Sequence, residues 1–326
     1  MKKNLSLVLI LLLAFAFVAN VNAAGKSDSK SGGLTIGISM DILDSQFWLA
    51  NLDSMRKTLA ENGAKGIEVI ADGDAQKQNQ QIDTLISQGV KAIIIAPKDG
   101  TAIVSAIKKA NSANVPVIMN NRAAGEGAVV TSNIASDNKV MAAREMEWVV
   151  QKAKAAGKKI VLLEFIGALT DVNAVYRHAG VQDIEKKYPD VITKTVEIPT
   201  DWKPENADSL GQAALQANPD INTIFTASDM LIPTIKSMLQ KFNRWYVVSD
   251  PQHITWATFD GSADAVNEIK AGYIDIVSVQ DAPLQGKLCV QAAISAAKGD
   301  KVDPNIYDPG FEVNTDNWQQ KGFAGF

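Results

Sequence analysis

Short apolar runs alternate with amphipathic stretches along almost the whole chain. The runs at 34–39, 67–71, 92–96, 116–119 and 128–132 predict five strands. Between the first two, Trp48, Leu52, Met55 and Leu59 recur at helical spacing, and helices are also predicted over 75–88 and 101–113. Asn62-Gly63 supplies a stop signal for the first helix. The strands read as continuously apolar, as in a parallel sheet covered on both faces. The pattern then restarts. A long helix over 137–156 closes at Gly157, and strands at 160–165, 194–198, 222–226, 255–259 and 275–280 follow. They alternate with helices over 174–188, 204–217, 230–241, 262–271 and 284–298. The remaining tail, with Trp318 and Phe326, is expected to be extended. Strict alternation of strand and helix is the α/β signature. Two runs of similar order predict two doubly wound domains with parallel sheets, although no sequence repeat links them.

Ahead of that pattern, residues 1–24 begin with Lys2-Lys3, continue through an apolar core and end in Val21-Asn22-Ala23-Ala24. This is the build of a secretory signal peptide cleaved after Ala23 or Ala24. The core is shorter than the roughly 20 residues a membrane span needs, and no cysteine near the cleavage point offers a lipid attachment. Residues 25–32 read as a flexible polar leader. The expectation is a soluble product outside the cytoplasm, most simply in a bacterial periplasm.

Composition narrows the picture further. The chain has 326 residues, more than one hydrophobic core usually serves, and is 46% apolar and 21% charged, as globular proteins are. A net charge of −4 and the lack of a basic run argue against a nucleic-acid partner. Cys289 is the only cysteine, so no intramolecular disulfide can form. Its apolar helical setting marks it as a core residue. With two histidines and one cysteine, a structural zinc site is not expected, and neither is any other metal or cofactor.

Open α/β sheets bind ligands beyond the carboxyl ends of their strands. The residues there include Asp41, Ser45, Phe47 and Trp48 after the first strand, and Asn121-Arg122 after the fourth. Asp171, Asn173 and Arg177 follow the sixth, Trp202 the seventh and Ser228 the eighth. Asp260 and Gln280 complete the set. Few of these are catalytic types. Arginine offers a rigid fork of donors to adjacent hydroxyls, carboxylates accept, and amides do both. Aromatic rings cover the C–H faces of a sugar. The combination suits a neutral polyhydroxylated ligand. Plainer roles stay open at this stage: core packing for Trp48 and Trp202, surface ion pairs for Arg122 and Arg177, and a turn and helix cap for Asp260-Gly261.

Other chemistries lack their motifs. No G-x-G-x-x-G follows the first strand, and neither a Walker A nor a G-x-S-x-G sequence occurs. Asp72-Gly73-Asp74 has the start of a calcium loop, but Lys77 and Asp83 stand where glycine and glutamate belong. A helix entry is expected there instead. His178 and His253 have no serine or cysteine in a triad context, so neither is expected to be a catalytic base.

Several segments together resemble the periplasmic sugar-binding proteins of ABC importers, of the ribose-binding type. They are Gln46-Phe47-Trp48, Val115-Pro116-Val117-Ile118 leading to Asn121-Arg122, and residues 132–138, joined by Arg177 with Gly180, Phe259-Asp260-Gly261 and Gln280. The resemblance covers the chain from Leu34 onward. It implies two Rossmann-like lobes joined by a three-segment hinge near Ser136, Gln280 and Phe311. Lobe one is then 33–136 plus 281–311, and lobe two 137–280 plus 312–326. It also implies that Phe47, Trp48 and Trp202 sandwich a sugar ring, that Arg122 and Arg177 are ligand-binding arginines, and that Asp260 and Gln280 bind hydroxyls. Where ribose binders carry Ser, Asn, Asp and Asn, this chain has Asp41, Ser45, Asn121 and Ser228, which argues for a ligand other than ribose. The segment 241–256 is longer than in ribose binders and reads as a surface loop.

The function expected is that of a monomeric receptor that closes on a monosaccharide or polyol and delivers it to an inner-membrane ABC permease. A chemoreceptor is a further expected partner. Replacement of Arg177 by alanine is expected to weaken binding while leaving the fold intact. The alternatives are a periplasmic sensor of a signalling molecule and an exported sugar-acting enzyme. A repressor of the lactose-repressor type lacks its N-terminal DNA-binding helices here.

Overall fold

The computed structural model describes residues 33–323 and 325–326; the signal peptide and the leader lie outside the described residues. Two six-stranded sheets dominate. The first holds β1 (Thr35–Met40), β2 (Lys65–Ile70), β3 (Ala92–Ile95), β4 (Val117–Asn120), β5 (Ser132–Ser136) and β11 (Asn305–Asp308), in the order β11-β5-β4-β3-β1-β2. The second holds β6 (Ile160–Ile166), β7 (Ile192–Pro199), β8 (Thr223–Thr226), β9 (Thr255–Asp260), β10 (Ile276–Val279) and β12 (Phe311–Asn314), in the order β12-β10-β9-β8-β6-β7. The orders correspond strand for strand, so the restarted pattern is one topology built twice. Pairing is parallel throughout, except that β12 runs antiparallel to β10. Central strands β3, β4, β8 and β10 are buried at every position, whereas edge strands β2 and β7 are half exposed. That contrast follows from parallel strands being covered on both faces.

Helices flank both sheets: α1 (Gln46–Glu61), α2 (Ala75–Ser87), α3 (Val104–Ser112) and α9 (Ala282–Ala297) on the first, with α4 (Asn138–Ala155), α5 (Val172–Lys187), α6 (Pro204–Ala217), α7 (Ile232–Lys241), α8 (Ala263–Lys270) and the short α10 (Trp318–Lys321) on the second. Their starts are legible as caps. Ser45, Asp74, Asp137, Asp171, Ser262 and Asp281 each accept a backbone N–H from the first turn. Asp74 therefore serves a helix entry, as its sequence context indicated. Two glycines permit the closest helix contacts. A Cβ on Gly286 of α9 would lie 2.3 Å from the Asn51 carbonyl of α1, and one on Gly180 of α5 would lie 2.4 Å from the Lys139 carbonyl of α4.

The chain passes between the sheets after β5, after β10 and between β11 and β12. Asp308 binds these passages together: its Oδ2 accepts Ser136 Oγ at 2.8 Å and the Asp281 N–H at 2.7 Å. Two elements differ from the sequence pattern. The fifth strand falls at Ser132–Ser136, beyond the apolar run at 128–132, and Val129 of that run is exposed. There, pairing with β4 and β11 outweighs local apolarity. The tail is more ordered than an extended segment, because β11 and β12 each complete a sheet.

Candidate functional site

A cavity of about 300 Å³ opens between the carboxyl ends of the two sets of strands, at the lower end of the usual range for ligand pockets. All thirteen residues singled out from the sequence line it. They come from the ends of β1, β4, β6, β7, β8, β9 and β10, from the first turn of α1 and from the first two turns of α5. Asp44, Lys98, Met230 and Lys203 also line it. Lys98 follows β3 and was findable by the strand-end rule; Met230 sits in a 3₁₀ turn after β8 and carried no polar signal.

Arg122 is central to the first-sheet wall. Its Nη1 donates to Asp41 Oδ2 at 2.8 Å, its Nε lies 2.7 Å from Asp171 Oδ2, and its guanidinium sits 5.0 Å from the centre of the Trp48 ring. Burial works against that charge, but Asp171 and Asp41 overcome the effect and leave the arginine pKa raised. Asp171 also accepts the Trp202 indole N–H at 3.1 Å and, through Oδ1, the Asn173 N–H at 2.9 Å as the cap of α5. Asp41 Oδ1 is buried without a hydrogen-bond partner. Phe47 meets Trp48 edge to face at 5.0 Å. Both rings also pack into the core of the first sheet, so the core and cavity-lining roles of Trp48 coexist.

On the second-sheet wall, Arg177 is 3% exposed. It donates to Asn138 Oδ1 at 2.7 Å and to the Ala227 carbonyl at 2.5 Å, pairs with Asp260 at 3.1 Å, and lies over the Phe259 ring at 4.0 Å. Neither a surface ion pair nor a group free of the fold, it is a buried strut. This enclosure weighs against an alanine there leaving the fold intact, because Asp260 would be left as a buried charge without its partner. Asp260 further accepts Ser228 Oγ at 2.6 Å and Gln280 Nε2 at 2.8 Å. Ser262, not Asp260, caps α8. Burial, and then repulsion from Asp260, push Asp229 beneath it up to about 8.

Four wall residues hold left-handed backbone: Asn121 (φ 64°), Asp201 (φ 53°), Trp202 (φ 58°) and Asp260 (φ 110°). Such conformations cost on the order of 1–3 kcal/mol each and gather at functional sites. Trp202 is seated by Gly167, where any Cβ would meet the indole ring at 2.1 Å.

The walls are also joined directly. Asn173 Nδ2 donates to Asn121 Oδ1 at 2.6 Å, and Asn121 Nδ2 donates to Gln280 at 3.0 Å and Gln285 at 2.9 Å. At the rim, Gln46 Oε1 accepts the Ala263 N–H at 3.2 Å, and Phe47 meets Phe326 at 5.9 Å. Segment 241–256 lies elsewhere. None of its residues lines the cavity; Trp245 stacks on Tyr273 at 4.4 Å, and His253 bridges the Tyr246 carbonyl and Asp275. Cys289 is fully buried, and burial pushes its thiol pKa up.

Two α/β lobes with a polar cavity at the strand ends define a binding protein of the two-lobed periplasmic type. The chain belongs to the periplasmic binding protein domain family, whose model matches residues 36–301. It is 29% identical to the ribose import binding protein of Bacillus subtilis, over 95% of this chain and 98% of that one. It is 28% identical to the D-apiose import binding protein of Paraburkholderia graminis, over 77% of each. Among solved structures, an ABC transporter solute binding protein from Bacillus halodurans with bound myo-inositol superposes with a TM-score of 0.81. That match has 23% identity and covers 90% of this chain and 98% of that one. The family is one of binding proteins, not enzymes, and it places the protein outside the cytoplasm.

Proposed function

We propose that the chain is a periplasmic receptor that closes on a monosaccharide or polyol in the cavity and delivers it to the membrane permease of an ABC importer. The observation that carries this reading is the charge arrangement of the walls. Both arginines are already matched by carboxylates, Arg122 by Asp41 and Asp171 and Arg177 by Asp260. Neither buried arginine is therefore left as a free cation, and together with the amides and ring faces around them they suit an uncharged, hydroxyl-rich ligand; the remaining charged lining groups are Asp44, Lys98, Asp201 and Lys203. Asp41 Oδ1 supplies an open acceptor for a hydroxyl, and leaving it unpaired costs about 1–3 kcal/mol.

We assign direct contact to Asp41, Arg122, Trp48 and Trp202. Asn121, Ser228 and Gln280 are engaged with protein partners and hold the walls in register. Of the four departures from the ribose-binding pattern, only Asp41 keeps a buried polar atom free, so it is the residue that selects among sugars. Lobe one is read as 33–136 plus 281–311 and lobe two as 137–280 plus 312–326. Ligand favours the closed state because only there do both walls reach it. The sugar and polyol ligands named for the relatives support the class.

The test is a thermal-shift screen of protein unfolded and refolded to remove carried ligand, against pentoses, hexoses, deoxy sugars, polyols and non-sugar controls. Ligand that binds only the native state raises the melting temperature by mass action. A rise of several degrees for one sugar or polyol is expected; folded protein that responds to none of them contradicts the reading.

A further inference from the structure

A second cluster of ligand-type side chains lies on the second lobe, away from the cavity. Parallel pairing places Glu164 of β6 beside Glu197 of β7, and register partners share a face, where like charges repel. Glu164 is 1% exposed in an otherwise apolar strand, Ile-Val-Leu-Leu-Glu-Phe-Ile. His178 of α5 covers the pair: its Nδ1 is 2.9 Å from Glu164 Oε1 and its Nε2 3.9 Å from Glu197 Oε1. Glu185, on the same face of α5, adds a third negative charge near both Glu164 and His178. Among the described residues, the only salt bridges of Glu164 and Glu197 are with His178. The second oxygen of Glu164 is buried with no hydrogen-bond partner. One imidazole thus faces three carboxylates, of which only Glu164 is buried, and a buried oxygen left without a partner is costly.

One ligand atom each from Glu164, His178 and Glu197 lie within 4.8 Å of one another. We propose that these three side chains bind a divalent transition-metal ion of the zinc type. The ion sits between the donors and replaces the hydrogen bond from His178 to Glu164. Nitrogen and carboxylate donors about 2.0–2.2 Å from the metal are what zinc takes, with water in the remaining position. The imidazole argues against calcium, which prefers six to eight oxygens. With the ion on Nδ1 the ring proton is on Nε2, where the Gln182 side-chain amide lies 2.9 Å away; turning that amide over brings its Oε1 to accept this N–H, the supporting contact a metal-binding histidine uses. The Glu197 side chain is 47% exposed and gives the ion a way in from solvent. None of the three lines the sugar cavity, so this inference stands apart from the proposed function.

The test is a calorimetric titration of zinc ion into untagged, chelator-stripped protein in a non-coordinating buffer near neutral pH, with Glu197→Gln and His178→Gln beside the parent. One ion per chain is expected, with affinity lowered at least about tenfold in Glu197→Gln and lost in His178→Gln. Glu197 is at the surface, so its variant reports on the metal rather than on folding; the melting temperature without metal confirms this. No binding to the parent, or binding that survives both substitutions, overturns the proposal.

Discussion

Asn173 and Asn121 meet through a 2.6 Å hydrogen bond that joins the start of α5 on the second lobe to the end of β4 on the first. Asn173 also accepts from Asn138 at 3.0 Å, and Asn138 in turn accepts from Arg177. A chain of amides therefore runs from the first-lobe wall to the buried arginine of the second. Replacing Asn173 by alanine leaves Asn121 and Asn138 short of a partner each, at a cost of about 1–3 kcal/mol per buried group. Sugar or polyol affinity is expected to fall by about tenfold or more. Calorimetry with the ligand found in the screen checks this, and unchanged affinity would remove the bridge from the account.

Gly167 has a role that only the fold discloses. Trp202, itself in a left-handed conformation, rests its indole where a Gly167 side chain would be. The Gly167→Ala variant is expected to stay folded, displace the ring and weaken binding about as much as Trp202→Ala does. Affinities of the two single variants and the double variant check this: the effects should not add, because both act through one ring.

Arg177 is expected to matter first for stability. Removing one partner of a buried ion pair costs about 3–5 kcal/mol, so Arg177→Met should lower the urea midpoint sharply. Adding Asp260→Asn removes the stranded charge and should recover part of the loss. A single variant as stable as the parent would show that Asp260 is satisfied without the arginine.

Asp229 gives the fold a pH dependence of definite sign. Its carboxyl stands near 3.8 when unperturbed and is pushed up to about 8 in the fold, so the native state holds a proton that the unfolded chain has released. Stability contributed this way is present at acidic pH and is lost as pH rises from about 4 to about 8, by at most about 1.4 kcal/mol per pH unit. Asn in place of Asp229 can still accept from the Gly261 and Ser262 N–H groups but does not titrate. Urea unfolding at several pH values should show a shallower slope for Asp229→Asn, and equal slopes would refute the assignment.

Much of this was legible in the chain. Apolar runs located the central strands because parallel strands are covered on both faces, and Asp74 marked the start of α2. The cavity residues were found because strand ends are fixed by local pattern while the topology brings them together. What the pattern could not show depends on register and packing. Strand β5 was misplaced because its pairing, not its apolarity, fixes it. A surface ion pair stayed open for Arg177 because nothing local reveals that Asn138, Ala227 and Asp260 enclose it. Glu164 and Glu197 are far apart in sequence, and only sheet register makes them neighbours.

Whether the cavity is the ligand site is decided by a crystal structure of the protein with the sugar or polyol that gives the largest thermal shift. The ligand is expected in the cavity, with a hydroxyl on Asp41 Oδ1 and contacts to side chains of both lobes. A ligand bound elsewhere, or held by one lobe alone with Asp41 Oδ1 still unpaired, would contradict that placement.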